Sequence, residues 1–117
     1  MSSVTIWHNP RCGKSREGLA LLEANGIEAD VVKYLDATPS EAQIRDLLAK
    51  LGCSARELMR TKEALYKELN LKTVEDENTL IKAMAEHPKL IERPVVIMGN
   101  KAVIGRPPEK ILELVKK

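Results

Sequence analysis

The sequence is poor in cysteine and in aromatic residues. Cys12 and Cys53 are its only cysteines, too few for a disulfide scaffold or for a structural zinc site made of cysteines. Phenylalanine is absent, and the aromatic residues are Trp7, Tyr34 and Tyr66. Proteins that stack nucleic-acid bases usually carry more aromatic rings. A net charge of +2, from 19 basic and 17 acidic residues, is also too balanced to indicate nucleic-acid binding.

Long apolar segments are lacking as well. No run approaches the roughly 18 apolar residues that a membrane span needs. The N-terminus does not show the basic and then apolar pattern of a signal peptide, so we expect a cytoplasmic protein with no membrane contact. The 117 residues are 44% hydrophobic and 31% charged, which is typical of a single soluble domain over residues 1–117.

The order of predicted elements indicates an α/β fold. Strands at 4–7 and 29–34 enclose a helix at 13–25, and a hairpin at 94–104 precedes a last helix. We expect Pro107 and Pro108 to open that helix, and its core face to consist of Ile111, Leu112 and Val115. The order β-α-β … β-β-α is that of the thioredoxin-like fold, with a helical insertion at about 38–88.

Helix boundaries within the insertion follow from capping patterns. Thr38 with Glu41 three residues later predicts the start of one helix, which Gly52 should end. Ser54 with Glu57 predicts the start of the next. Apolar spacing predicts further helical segments before Pro88.

The segment from His8 to Arg16 surrounds Cys12 with positive charge. It contains Arg11, Lys14 and Arg16 and no acidic residue. Cys12 lies at the start of the first predicted helix, just after the first strand. At a helix start, free backbone N–H groups and the helix dipole favour an anion. Both features favour the nucleophilic thiolate and would hold an oxyanion beside the sulfur. A lone cysteine is most often a small buried apolar residue, but such a residue does not need three basic neighbours.

The same segment excludes two common chemistries. Dithiol oxidoreductases need C-x-x-C, whereas Ser15 stands three residues after Cys12; a phosphatase loop of the form C-x5-R would need arginine where Gly18 stands. Cys53 lies far along the chain, between Gly52 and Ser54, and is expected to be structural. We therefore expect an attack by Cys12 that an external thiol resolves.

Three arginines outside this segment suit an oxyanion. Arg93 and Arg106 each precede a proline, and Arg60 ends the run Glu57-Leu58-Met59-Arg60. Any one of them could be a solvated surface residue, but arginine is the side chain that binds a tetrahedral oxyanion through paired N–H groups.

Four blocks resemble the glutaredoxin-dependent arsenate reductase (ArsC) family, most closely its short YfgD-type branch. They cover nearly the whole chain in order and comprise His8-Asn9-Pro10-x-Cys12-x-x-Ser15-Arg16, Glu57-Leu58-Met59-Arg60, Glu92-Arg93-Pro94 and Gly105-Arg106-Pro107-Pro108. The resemblance implies a single ArsC-like domain with a thioredoxin-like fold, and a cis peptide bond at Arg93-Pro94.

The resemblance also implies roles for individual residues. Cys12 would be the nucleophile that attacks arsenate, and His8 would help to keep it ionised. The residues implied to bind the oxyanion are Arg60, Arg93, Arg106, Asn9, Ser15 and Arg16. Glutathione would act as co-substrate and glutaredoxin would resolve the mixed disulfide, with arsenite released and with no bound cofactor or metal.

Two other functions remain open. A glutathione-dependent thiol oxidoreductase or deglutathionylase would need only the electropositive Cys12. A regulator similar to the Spx-type proteins, which share this fold and bind RNA polymerase, would typically carry the C-x-x-C switch that Ser15 interrupts.

Overall fold

The computed structural model describes residues 4–115, which divide into two compact units. One unit contains the described residues up to Ala37 and again from Arg93, and the other is Thr38–Glu92. The second unit corresponds closely to the helical insertion predicted at about 38–88.

The first unit contains a four-stranded sheet. Its strands are β1 (Val4–Trp7), β2 (Ala29–Val32), β3 (Val95–Met98) and β4 (Lys101–Ile104), and their spatial order is β2-β1-β3-β4. β1 pairs parallel to β2 and antiparallel to β3, and β3 and β4 form the predicted hairpin. The predicted thioredoxin-like fold is confirmed, although β2 ends two residues earlier than expected.

Two helices of this unit pack on the sheet. Helix α1 (Gly13–Ala24) follows β1, and helix α6 (Lys110–Val115) closes the described chain. Their shared core with the sheet consists of Val4, Ile6, Leu22, Val96, Ile111 and Leu114. The expected core face of α6 is partly wrong: Leu114 is buried, whereas Leu112 is only half-buried. The helix also begins at Lys110, because Pro107 and Pro108 lie in a preceding turn that accepts the N–H groups of Lys110 and Ile111.

Helix α1 comes unusually close to the start of β3. A Cβ added to Gly18 would lie 2.7 Å from Cγ of Pro94 and 3.0 Å from Cδ1 of Ile111. Such an approach leaves room only for glycine. A side chain at position 18 would displace the residue that follows Arg93, so this position serves packing and not anion binding.

The insertion contains the α-helices α2 (Glu41–Leu51), α3 (Ala55–Leu58), α4 (Ala64–Glu68) and α5 (Glu77–Glu86). It also contains two short 3-10 helices, Leu71–Thr73 and Pro88–Leu90. The expected cap at Thr38 is wrong. Ser40 is the N-cap of α2, because its Oγ accepts the N–H of Gln43 at 3.1 Å while Gln43 Oε1 accepts the N–H of Ser40 at 2.8 Å. The predicted end at Gly52, in the left-handed region, is confirmed.

The cap predicted for the next helix is confirmed. The N–H of Ser54 donates to Glu57 Oε1 at 3.1 Å, and α3 begins at the following residue. None of the helices in residues 4–115 combines the length and the apolarity that crossing a membrane requires.

Candidate active site

Cys12 is the residue at which the loop after β1 becomes helix α1. It is the N-cap of α1, with extended backbone angles, and only 9% of its surface is exposed. Asn9 shapes the loop before it: the carbonyl of Asn9 accepts the N–H of Cys12 at 3.0 Å, and its Oδ1 accepts the N–H of Arg11 at 3.0 Å. The sulfur is therefore presented at the helix N-terminus, as the sequence predicts.

The surroundings of Cys12 favour its thiolate. Burial on its own would raise the pKa of this thiol. The backbone N–H of Ser15, the side chain of Arg93, through both a hydrogen bond and its charge, and the backbone N–H of Lys14 together outweigh burial, so the pKa of Cys12 lies below its ordinary value. Because the thiolate is the nucleophilic form, Cys12 is activated for attack.

The positive charge at the sulfur comes from a different residue than the sequence indicates. Arg11 is exposed, and the exposed side chain of Lys14 has its Nζ 3.7 Å from Oε2 of Glu17. Arg16 also lies on the exposed side of α1. The cation that stabilises the thiolate is instead Arg93, which lies far away in sequence and is carried to the site by the start of β3.

His8 contacts Ser15 through a buried hydrogen bond. Nδ1 of His8 lies 2.7 Å from Oγ of Ser15, which also accepts the backbone N–H of Asn9 at 2.9 Å. Burial lowers the pKa of His8, and the charge of Lys33 lowers it further. A hydrogen bond with the backbone of Ser15 raises this pKa, and the charge of Arg16 again lowers it. The imidazole is therefore favoured in its neutral form, and its contact with the site is made through Ser15.

Arg93 has buried donors without a protein acceptor. Its Nε and Nη1 atoms are buried, and among residues 4–115 neither has a hydrogen-bond partner. Buried donors of this kind are costly unless an acceptor meets them. The side chain with these unpartnered donors is the same one that stabilises the Cys12 thiolate.

Both arginine–proline pairs of this unit have cis peptide bonds, Arg93-Pro94 and Arg106-Pro107, which confirms the expectation for Arg93-Pro94. The side chain of Arg106 lies on the backbone of Arg93, because its Nε donates to the Arg93 carbonyl at 2.8 Å. Arg106 is thus adjacent to Arg93, and its predicted role in oxyanion binding stays a prediction.

Arg60 belongs to the insertion and is held there by several bonds. Its backbone N–H donates to Leu90 at 2.7 Å, next to an isolated antiparallel bridge between Met59 and Ile91. Its Nη1 lies 3.0 Å from Oε2 of Glu63 and 3.3 Å from the carbonyl of Lys89. These contacts of Arg60 are all within the insertion, and its predicted role in oxyanion binding stays a prediction.

The model of the ArsC family matches residues 7–114 of this chain. This chain belongs to the ArsC family. Each of the residues that the sequence assigns to the site lies inside the matched range.

Relatives of known name agree with this membership of the ArsC family. The chain is 59% identical to the protein YfgD of Escherichia coli K12 over 114 residues, which cover 96% of each chain. It is 51% identical over 114 residues to a protein of Haemophilus influenzae named arsenate reductase, covering 96% of this chain and 98% of the relative. A solved structure named arsenate reductase from Vibrio cholerae is 52% identical, has a TM-score of 0.95 and covers 97% of this chain and 98% of its own.

The second cysteine of this ArsC-family chain has the opposite environment. Cys53 is half-buried, and burial together with the nearby carboxylates of Glu57 and Glu77 raises the pKa of its thiol. The pKa of Cys53 is therefore shifted up and that of Cys12 down, so Cys12 is the more readily ionised of the two thiols. Within residues 4–115 no group of three His, Cys, Asp or Glu side chains is arranged to hold a metal ion.

Proposed function

We propose that this protein is a cytoplasmic arsenate reductase that uses Cys12 as nucleophile, glutathione as co-substrate and glutaredoxin to restore the thiol. The observation that carries the proposal is the pairing of an activated sulfur with Arg93, whose buried Nε and Nη1 lack a protein acceptor in residues 4–115. A nucleophile beside unused, buried, cationic donors suits a small oxyanion. The names of the relatives identify arsenate as the oxyanion to test first.

The first step is attack by sulfur on arsenic. The Cys12 thiolate forms a bond to the As(V) atom of arsenate, and one arsenate oxygen takes up a proton and leaves as water. Arg93 would hold the remaining oxygens through the donors that the protein leaves free. Arg60 and Arg106 would add positive charge, and the N-terminal turn of α1, from Asn9 to Arg16, would supply further donors.

The second step reduces arsenic. The sulfur of glutathione forms a disulfide with Sγ of Cys12 and loses its proton to the arsenic product. The sulfur–arsenic bond breaks, and its electron pair stays on arsenic, which changes from As(V) to As(III) and leaves as arsenite. A glutaredoxin thiolate then attacks the sulfur of the bound glutathione and releases the Cys12 thiolate.

Two features of the chain support the proposal that an external thiol is needed. Ser15 stands where a dithiol protein would carry its second cysteine, and its hydroxyl is bonded to His8 and to the N–H of Asn9. Cys53 is held in its thiol form within the insertion. We therefore propose that the two electrons that reduce As(V) to As(III) in each turnover come from the sulfurs of Cys12 and glutathione, which become a disulfide.

A coupled assay tests the proposal: arsenate, glutathione, glutaredoxin, glutathione reductase and NADPH, with NADPH oxidation as the signal. Cys12→Ser should abolish arsenate-dependent oxidation, and Arg93→Met should lower kcat/KM about a hundredfold or more. The matched controls are Cys53→Ser and Arg45→Met, which should retain activity because burial and nearby carboxylates disfavour the Cys53 thiolate and because Arg45 is an exposed residue of α2.

The opposite result would be equally informative. If the wild type oxidises no NADPH in response to arsenate while Cys12 still accepts glutathione from glutathione disulfide, the reductase proposal fails. The protein would then act as a glutathione-dependent thiol oxidoreductase.

A further inference from the structure

The ladder between β3 and β4 continues past the ends of both strands. The last pair within the strands is Val95 with Ile104, and the N–H of Gly105 then donates to the carbonyl of Pro94 at 2.8 Å. The backbone of Arg106 leaves the ladder, because its N–H turns back to the carbonyl of Ile104 at 2.8 Å. Hydrogen-bonded and non-hydrogen-bonded pairs alternate along an antiparallel ladder, so the following pair, Arg93 with Arg106, exchanges no backbone hydrogen bonds.

A side chain nevertheless joins these two residues. Nε of Arg106 donates to the carbonyl of Arg93 at 2.8 Å. This bond holds the backbone of the residue whose side chain stabilises the Cys12 thiolate.

We propose that Arg106 is a positioning residue: its Nε holds the backbone of Arg93 so that the Arg93 guanidinium lies against Cys12. In this arrangement Arg106 acts on the sulfur through Arg93, in addition to any contact with substrate. The inference concerns the site of the proposed reductase but does not rest on arsenate, because its consequence is measured on the free thiol.

Two substitutions separate position from charge. Glutamine places its Nε2 at the point in the side chain where arginine has Nε, so Arg106→Gln keeps this donor and loses the charge. Lysine places a methylene group there, so Arg106→Lys keeps the charge and loses the donor at that point. If Arg106 acted on Cys12 only by its charge, the glutamine variant would be the damaging one.

The readout is the ultraviolet absorbance of the thiolate as a function of pH, without arsenate or glutathione. All proteins carry Cys53→Ser, so that a single thiol titrates. In Arg106→Lys we expect the titration of Cys12 to move to higher pH, with the ratio of thiolate to thiol at a given pH falling about two- to tenfold, the effect of one weakened hydrogen bond. Arg106→Gln should titrate close to the parent protein.

A double variant provides an independent check. With Arg93→Met in place, Arg106→Lys should cause no further change in the Cys12 titration, because the residue that it positions is gone. Far-UV circular dichroism confirms that each variant is folded. An unchanged titration in Arg106→Lys, a shift in Arg106→Gln as large as in Arg106→Lys, or an additive effect in the double variant overturns the proposal.

Discussion

Nδ1 of His8 lies 2.7 Å from Oγ of Ser15, and both side chains are buried. Since the same oxygen accepts the N–H of Asn9, this contact fastens the end of β1 and the following loop to the first turn of α1. The imidazole is therefore part of the framework that presents Cys12. A second proton on this ring has to be accommodated inside the protein, close to the charges of Lys33 and Arg16.

Protonation of His8 should make stability depend on pH. The folded-state pKa of His8 lies below its ordinary value of 6.5, so the unfolded chain binds this proton at a higher pH than the folded chain does. The stability that the folded state gains by keeping His8 neutral is fully present above pH 6.5. It is lost as the pH falls from that value through the lowered pKa of the folded state. Urea unfolding at about pH 7.5 and about pH 5.5 should show a smaller loss in His8→Asn than in the wild type. Equal losses in the two proteins would contradict this.

Arg93, and not the basic residues around Cys12, should control the thiolate. Arg93→Met removes a hydrogen bond and a charge from the sulfur, so the pKa of Cys12 should rise. Arg11→Met removes an exposed charge of the same kind and should leave the titration nearly unchanged. Thiolate absorbance against pH, with Cys12→Ser as the blank, measures both. If the pKa of Cys12 rises more in Arg11→Met than in Arg93→Met, the controlling charge lies in the loop between β1 and α1.

Gly18 should not tolerate a methyl group. Gly18→Ala places its Cβ against Pro94 and Ile111, and overpacking of this kind costs about 1–3 kcal/mol of the free energy of unfolding. Gly13→Ala is the control, since it lies in the same helix and its Cβ would meet only Nη2 of Arg16, at 3.9 Å. Denaturant unfolding compares the two. If both variants are equally stable, the close approach of α1 to Pro94 is not rigid.

The cap of α2 can be tested by a pair of alanine substitutions. Ser40→Ala removes the oxygen that accepts the N–H of Gln43 and should cost about 1 kcal/mol of stability. Thr38→Ala changes an exposed residue that precedes the helix and should cost much less. The reverse order of the two costs would restore Thr38 as the cap.

Elements defined by local patterns could be predicted from the sequence. The bounds of β1 and β4, the start of α1 and the end of α2 at Gly52 all follow from neighbouring residues. The predicted start of α2 at Thr38 is wrong, and Ser40 is the observed N-cap. The sequence does not separate the two, because Thr38 with Glu41 and Ser40 with Gln43 fit the same capping pattern. The sequence does not show which hydroxyl the backbone presents to the helix.

The site was predictable in its chemistry but not in its electrostatics. Cys12 at a helix N-terminus and Ser15 in place of a second thiol follow from the sequence. That Arg93 places its positive charge at the sulfur follows only from the folded sheet. The ion pair of Lys14 with Glu17, by contrast, is a local contact within α1. The sequence signal for Arg93 is the proline that follows it. This signal indicates that Arg93 belongs to the site, but it does not show that the side chain contacts the sulfur. The neutral state of His8 also depends on burial, which a pattern of neighbours does not show.

The two middle strands of the sheet, β1 and β3, are separated along the chain by the whole insertion. Contacts between such distant segments form late, because the long intervening loop must first be closed. On the ribosome, Cys12 emerges several seconds before Arg93, at about 5–20 residues per second. A nascent or partly folded chain therefore lacks the hydrogen bond and the charge of Arg93, and the sulfur is fully activated only when β3 joins β1. In refolding experiments the thiolate absorbance should trail the helical circular dichroism signal, and simultaneous recovery of the two would contradict this order.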